Sequence, residues 1–141
     1  MFTLSESVIV AIGCISYDFR TIGLATGQTT LLVFLICIYA VFTKTDFTGP
    51  APYLIIFLFL IIFSCILYSL EPLSRPLDYL YSFVFIICFC MFLIQDVQRI
   101  VGGRHRKYKY IIDDWVFAAL NIYLDIINIF LQFLTMQGQN N

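Results

Sequence analysis

Two carboxylates lie inside apolar segments of this chain, where an ionised side chain is costly. Asp125 is at the middle of the apolar run 113–133, and Asp96 is near the end of the preceding apolar segment. Two carboxylates held close together cannot both ionise cheaply, so they would share a proton and titrate as a coupled pair. Such a pair would sense protons. Calcium takes about six to eight oxygen ligands, so the deprotonated pair favours a transient cation path over a tight metal site.

Polar residues recur along one side of the last apolar segment. Steps of four and three residues stack side chains on one face of a helix. The remaining positions are almost all apolar and suit lipid or packed protein. The polar stripe is therefore predicted to face other helices or a wet cavity and to support the central acid; its members are Asp114, Ala118, Asn121, Asp125, Asn128 and Gln132.

A purely structural interpretation of these acids stays open. Asp96 lies three residues before Arg99, which is the spacing of an ion pair along one helix. Asp125 would hydrogen-bond the asparagines of the stripe and hold helices together. Glu6 is a third acid in an apolar segment, and it lies either inside the bundle or at the membrane interface. The depth of Asp125 favours a functional role, because an unused buried charge is expensive.

The composition indicates the elements that must position these acids. Hydrophobic residues make up 61% of the 141 residues and charged residues 12%, with a mean hydropathy of +0.92. A small soluble domain would need more charge on its surface. We predict a single all-α transmembrane domain over 1–141, a polytopic helix bundle whose partner is the lipid bilayer. It has about five helices, at 2–17, 21–42, 52–70, 77–101 and 113–134.

Turn and charge signals define the ends and the orientation of these helices. Gly102-Gly103 predicts the end of the fourth helix, and Asp113-Asp114 the start of the fifth. Gly23 and Gly27 form a small-residue pair that would let a helix approach closely. Five of the eight Lys and Arg residues fall within 99–109. That loop is predicted to be cytosolic, with the N-terminus on the same side and the C-terminus lumenal or extracellular.

Several other function classes have little support. A basic loop between apolar segments is an orientation signal, so nucleic acid is not an expected partner. The single histidine is in that loop and all five cysteines lie in apolar stretches, which indicates no zinc site or disulfide framework. An intramembrane aspartyl protease would carry a Gly-x-Gly-Asp signature, which does not occur. We expect no enzyme, no cofactor and no cleavable signal peptide.

Three segments resemble the transmembrane Bax inhibitor motif family, most closely its Lifeguard and glutamate-receptor-associated branch. The run 116–130, VFAALNIYLDIINIF, is similar to that family's last helix almost residue for residue. Gln95-Asp96-Val97-Gln98, followed by Gly102-Gly103, is similar to the end of its preceding helix, and 43–48, TKTDFT, to its short loop. In this comparison the chain corresponds to helices three to seven of a seven-helix fold and starts at the third.

The resemblance implies a protein of the endoplasmic reticulum, the Golgi or other membranes, including the plasma membrane. It would let calcium leak down its gradient, with calcium as a permeant ion, and would protect cells against apoptosis. By motif, Asp96 and Asp125 correspond to the family's proton-sensitive aspartate pair. The first two family helices bring a basic residue near that pair, and here they are without a counterpart. The alternative is therefore a non-conducting protein that associates with full-length relatives or other membrane proteins.

Overall fold

The computed structural model describes residues 1–49, 57, 62, 75–102 and 114–138, and no strand occurs among them. Four helices are present in this part of the chain: α1 (Phe2–Ile15), α2 (Phe19–Phe42), α3 (Arg75–Val101) and α4 (Trp115–Gly138). The predicted all-α fold class is confirmed. The predicted span 52–70 lies outside the described residues except for Phe57 and Ile62, both of which are helical.

Three of these helices are long and apolar enough to cross a membrane. They are α2, the Leu77–Val101 part of α3, and α4, with 24, 25 and 24 residues. A helix of 24 residues is about 36 Å long, against a hydrocarbon core of about 30 Å. The protein is thus an integral multi-pass membrane helix bundle. In contrast, α1 has 14 residues and reaches only about 21 Å, which is short of a full crossing.

The first predicted boundary shifts because the chain turns earlier than expected. The backbone N–H of Tyr17 donates to the carbonyl oxygen of Cys14 (3.0 Å), which closes the turn after α1. Asp18 has an extended backbone and occupies the N-cap position of α2. The first helix therefore ends at Ile15 and the second begins at Phe19, two residues to the N-terminal side of each prediction.

The predicted glycine stop of α3 is confirmed at Gly102. This residue has a left-handed backbone with φ of 63°, a conformation that glycine adopts without steric cost. Its N–H donates to the carbonyl oxygen of Gln98 (3.0 Å). The last helix differs at both ends from the predicted 113–134, since α4 starts at Trp115 and continues to Gly138.

The core lies where α2, α3 and α4 meet. The pair of α3 and α4 packs most extensively, α2 packs against both, and α1 contacts α4 near its far end. Burying apolar side chains between helices fixes the rotation of each helix about its axis. The central cluster consists of Ile36 and Ala40 from α2, Leu93, Ile94 and Val97 from α3, and Ile129 from α4.

Close helix approach occurs at a different glycine from the predicted pair. A Cβ added at Gly23 or Gly27 would meet nothing within 4 Å, so neither glycine is needed for packing in the part of the chain described. A Cβ at Gly138 would instead overlap the ring of Tyr17. The C-terminal end of α4 therefore contacts the turn between α1 and α2.

Candidate functional site

Asp96 and Asp125 line the same cavity between α3 and α4, with a volume of about 360 Å³. On each helix the lining residues follow steps of three and four apart from one adjacent pair, Gln95 with Asp96 on α3 and Leu124 with Asp125 on α4, so each helix presents one face to the cavity. The two acids, separate in sequence, are thus brought to one place by the packing of α3 against α4. The lining consists of Phe89, Phe92, Gln95, Asp96, Arg99, Phe117, Asn121, Leu124, Asp125 and Asn128.

Asp96 is buried and has a cation one helical turn away. Only 7% of the residue is exposed. Nη1 of Arg99 lies 3.7 Å from its Oδ1, while the Arg99 side chain is 24% exposed. The ion pair considered in the structural interpretation is therefore present. Because Arg99 also lines the cavity, its guanidinium is part of the site and offsets one of the two negative charges.

Asp125 is equally buried, at 7% exposure. Its Oδ2 has no hydrogen-bond partner within the described residues. The amide nitrogen of Asn128 donates to the carbonyl oxygen of Leu124 (2.8 Å), a bond within α4 rather than between helices. Asp96 lines the same cavity from α3. Asp125 therefore carries a buried carboxylate oxygen that makes no hydrogen bond with the described residues.

The predicted polar stripe divides into a part at the cavity and a part elsewhere. Asn121 and Asn128 are half-buried and line the cavity beside Asp125. Gln132 is half-buried but is not among the lining residues. Asp114, before the start of α4, is exposed. Two of the three predicted supporting residues thus reach the site.

Glu6 does not match the expectation of a buried acid. It is half-buried on α1, a helix with no buried residue, and it is not among the residues that line the cavity. Within the described residues α1 packs against α4 at a position that does not line the cavity, since Gly13 lies beside Leu131. Glu6 is therefore not part of the same site as the two aspartates.

Sequence reasoning missed the aromatic side of the cavity and the part played by Gln95. Phe89, Phe92 and Phe117 form apolar walls, and Nε2 of Gln95 is buried without a hydrogen-bond partner in the described part of the chain. The signal was available, because Phe89, Phe92, Asp96 and Arg99 are spaced by three, four and three residues. A nonpolar wall lowers the local dielectric and strengthens charge interactions inside.

The donor set suits proton exchange and transient cation binding. Within the described residues no three His, Cys, Asp or Glu side chains come together as a metal-binding group. The cavity offers two carboxylates, one guanidinium and the amide oxygens of Gln95, Asn121 and Asn128. Carboxylate and amide oxygens are ligands that calcium accepts, while a firm calcium site needs more of them.

The fold and the cavity together define a class, namely a multi-pass membrane helix bundle with a buried pair of aspartates. The chain belongs to the Bax1-I family, described as inhibitor of apoptosis-promoting Bax1, whose family model matches residues 1–141.

Curated relatives support this assignment. The chain is 28% identical to Protein LIFEGUARD 3 of Arabidopsis thaliana over 139 residues, covering 96% of this chain and 54% of the relative. It is 32% identical to Protein LIFEGUARD 1 of the same organism over 137 residues, covering 95% of this chain and 56% of the relative. The chain thus spans about half the length of the curated relatives it matches.

Proposed function

We propose that this chain is a pH-sensitive calcium leak protein of an endoplasmic reticulum or Golgi membrane. Asp96 and Asp125 would form its shared proton and cation site, with no enzymatic step. The observation that supports this most strongly is that both buried acids line one cavity together with Arg99. Buried acids within membrane helices commonly mark ion or proton pathways.

Protons and calcium compete for the same oxygens in this proposal. When one proton is shared, the two carboxylates carry a single negative charge, which Arg99 neutralises, and calcium has little reason to enter. When that proton leaves, the cavity carries a net negative charge that attracts a divalent cation. Calcium binding should therefore weaken as pH falls. Direct coordination uses Oδ2 of Asp125, which has no partner in the described residues.

Among the described residues, few other titratable groups lie near the pair. On α3 they are Arg99 and the thiols of Cys88 and Cys90, both of which experience the charge of Asp125. The buried residues of α2 carry no titratable side chain: they are Thr21, Ala25, Thr29, Ile36 and Ala40. The only acid of α1, Glu6, is outside the cavity lining. The aspartate pair therefore dominates the expected pH response.

The cavity is large enough for a hydrated ion. Its volume is about 360 Å³, and one water takes up about 30 Å³ of liquid volume. Oδ2 of Asp125, Nε2 of Gln95 and Nε of Arg99 are buried without hydrogen-bond partners among the described residues. Such groups are costly in an apolar environment. Water in the cavity would stabilise all three of them, whereas a cation would stabilise only the carboxylate oxygen of Asp125.

Calcium flux in reconstituted liposomes tests the proposal. We expect the wild-type flux to change with pH, and we expect Asp96→Asn and Asp125→Asn each to flatten this dependence, because each removes one member of the pair. Asp18→Asn is the matched control, since Asp18 is exposed at the start of α2, at the opposite end of the bundle. Asp125→Glu, which keeps a carboxyl group, should retain a pH response.

Equal and pH-independent flux for the wild type and both asparagine variants would remove the proposal. Thermal unfolding in detergent, measured on the same preparations, separates loss of the site from loss of the fold. A variant that unfolds like the wild type and has lost its pH response supports the assignment of that aspartate.

A role in restraining apoptosis is the cellular part of the proposal, supported by the description of the matching family. Expression of this chain should reduce death in cells challenged with active Bax. If calcium leak is the cause, Asp96→Asn and Asp125→Asn should lose the protection while reaching the same membrane level. If both variants protect cells as well as the wild type does, the protection does not depend on the aspartate pair.

A second candidate is a non-conducting protein that binds other membrane proteins, including longer relatives. It is favoured by Gly23 and Gly27, where an added Cβ would meet nothing within 4 Å. Small residues let membrane helices approach closely. Replacing both glycines by leucine should abolish co-purification with a full-length relative and leave the flux intact. Retained co-purification, or purification of a conducting monomer alone, argues against this candidate.

A further inference from the structure

Gln98 fastens the segment 43–49 to the end of α3. Its Oε1 accepts a hydrogen bond from the backbone N–H of Phe47 (2.9 Å), and its Nε2 donates to the carbonyl oxygen of Thr45 (3.1 Å). The residue has 0% exposure. Because a buried amide is costly unless its groups are paired, these two bonds form a specific attachment, here called the Gln98 clasp.

Hydrogen bonds to a side chain within the segment 43–49 shape its backbone. Oδ1 of Asp46 accepts hydrogen bonds from the backbone N–H of Thr48 (2.9 Å) and from its hydroxyl (2.6 Å). This Asx turn shapes the backbone of the segment locally. Thr48 has 0% exposure, and the ring of Phe47 lies 6.4 Å from that of Tyr39, centroid to centroid. The segment therefore presents a backbone of defined conformation to the side chain of Gln98.

The clasp and the cavity lie on different sides of α3. Residues two apart on an α-helix are separated by about 200° around the axis, so Gln98 and Asp96 project in nearly opposite directions. Val97, between them, is buried in the core. The backbone carbonyl oxygen of Gln98 also accepts a hydrogen bond from the N–H of Gly102, where the helix ends. The last turn of α3 is thus held from the side opposite Asp96.

We infer that Gln98 is a positioning residue, whose clasp fixes the rotation of the last turn of α3 and keeps Asp96 directed towards Asp125. The consequence for calcium flux rests on the proposed function. The clasp and its effect on the proton shared by the two aspartates do not depend on conduction. Hydrogen exchange measures the clasp, and infrared titration measures its effect on the aspartates.

Hydrogen exchange tests the clasp. Gln98→Leu keeps the approximate size of the side chain and removes both hydrogen bonds to the segment 43–49. We expect amide exchange in this segment to accelerate roughly tenfold, as for the loss of one to two net hydrogen bonds. Gln95→Leu is the matched control, because it removes a buried amide one turn earlier that makes no bond to the segment. It should leave the exchange of 43–49 unchanged.

Infrared titration tests the effect on the aspartates. The carboxylic C=O band of the pair, assigned by its loss in Asp96→Asn and Asp125→Asn, should change its pH dependence in Gln98→Leu. Gln98→Glu keeps the acceptor for Phe47 and, once ionised, loses the donor to Thr45, so its exchange rate should be intermediate at a pH at which the introduced carboxyl group is ionised. Unchanged exchange in Gln98→Leu overturns the clasp. Faster exchange with an unchanged infrared titration overturns the positioning role.

Flux measurements on the same variants separate this inference from the proposed function. If the wild type and all variants carry no calcium, the leak proposal fails, while the exchange and infrared results still decide the role of Gln98. If the wild type conducts and Gln98→Leu alters the pH response as it alters the infrared band, both stand. If the wild type conducts but Gln98→Leu changes only one of the two, the infrared titration or the pH response of the flux, the link from Gln98 to the flux is overturned.

Discussion

Arg99 brings a positive charge into the cavity that holds the two aspartates. Its Nη1 is 3.7 Å from Oδ1 of Asp96, and its Nε is buried without a hydrogen-bond partner in the described part of the chain. Two unit charges about 4 Å apart interact by about 4 kcal/mol at an effective dielectric constant of 20, and partial exposure reduces this value. The guanidinium therefore stabilises the charge of Asp96, and in the proposed function it would repel an entering cation.

Removing this charge should strengthen calcium binding. For Arg99→Gln at alkaline pH, where proton competition is small, we expect roughly tenfold tighter apparent calcium binding, since repulsion is lost. Arg99→Lys keeps the charge and serves as the control, with little change. The measurement is the calcium concentration at half-maximal flux in liposomes. An Arg99→Gln protein with unchanged or weaker calcium dependence would show that the guanidinium does not oppose cation entry.

At the scale of elements, the helices are joined at both ends of the bundle by direct side-chain contacts. At one end the Gln98 clasp ties the segment after α2 to α3. At the other end Gly138 closes α4 against Tyr17, and the side-chain amide of Gln137 donates to that of Gln28. The first contact thus ties α3 to the chain that follows α2, and the others tie α4 to α2 and to the turn that precedes it.

Gly138→Ala should destabilise the bundle. The added Cβ overlaps the Tyr17 ring, which must move, and overpacking typically costs about 1–3 kcal/mol. Gly23→Ala and Gly27→Ala are matched controls, because the added Cβ meets nothing within 4 Å, and alanine is favoured over glycine inside a helix. Unfolding by denaturant in micelles measures the difference. Equal stability of all three variants would contradict the close approach at Gly138.

At the scale of the whole molecule, the site lies towards one end of the bundle. The Gln98 clasp brings the segment 43–49 to the same end as Arg99, while Tyr17 and Gly138 meet at the opposite end. The basic residues of 99–109 predict that the first of these ends is cytosolic. The aspartates would then be approached from the cytosol by a short path and from the other side through most of the bundle.

Cysteine labelling in sealed vesicles tests this orientation. His105→Cys and Lys44→Cys should react with a membrane-impermeant thiol reagent from the cytosolic side, whereas Asp18→Cys should react only from the opposite side. The native cysteines all lie in apolar stretches, and labelling of the wild type in parallel measures their own contribution. Labelling of His105→Cys and Lys44→Cys from different sides would contradict the clasp as well as the orientation.

The amino-acid sequence by itself determined what depends on local pattern. Apolar runs of membrane length identified α2, α3 and α4, because the bilayer demands continuous apolar helices, and glycine chemistry located the end of α3 at Gly102. The cost of a buried charge singled out Asp96 and Asp125. The motif 116–130 indicated the family that the whole chain matches.

Only the tertiary structure decided which side chains share a site. Residue spacing alone did not determine whether Asp96 and Asp125 lie at the same depth in the membrane. That depth depends on the tilt and the relative sliding of the helices, which are determined by how the helices pack. Packing of α3 against α4 brought both acids to one cavity and added Arg99 and the aromatic walls. It also left Gln132 and Glu6 outside the lining. The Gln98 clasp joins residues more than fifty positions apart, and such long-range contacts have no periodic signal because they depend on how whole helices pack.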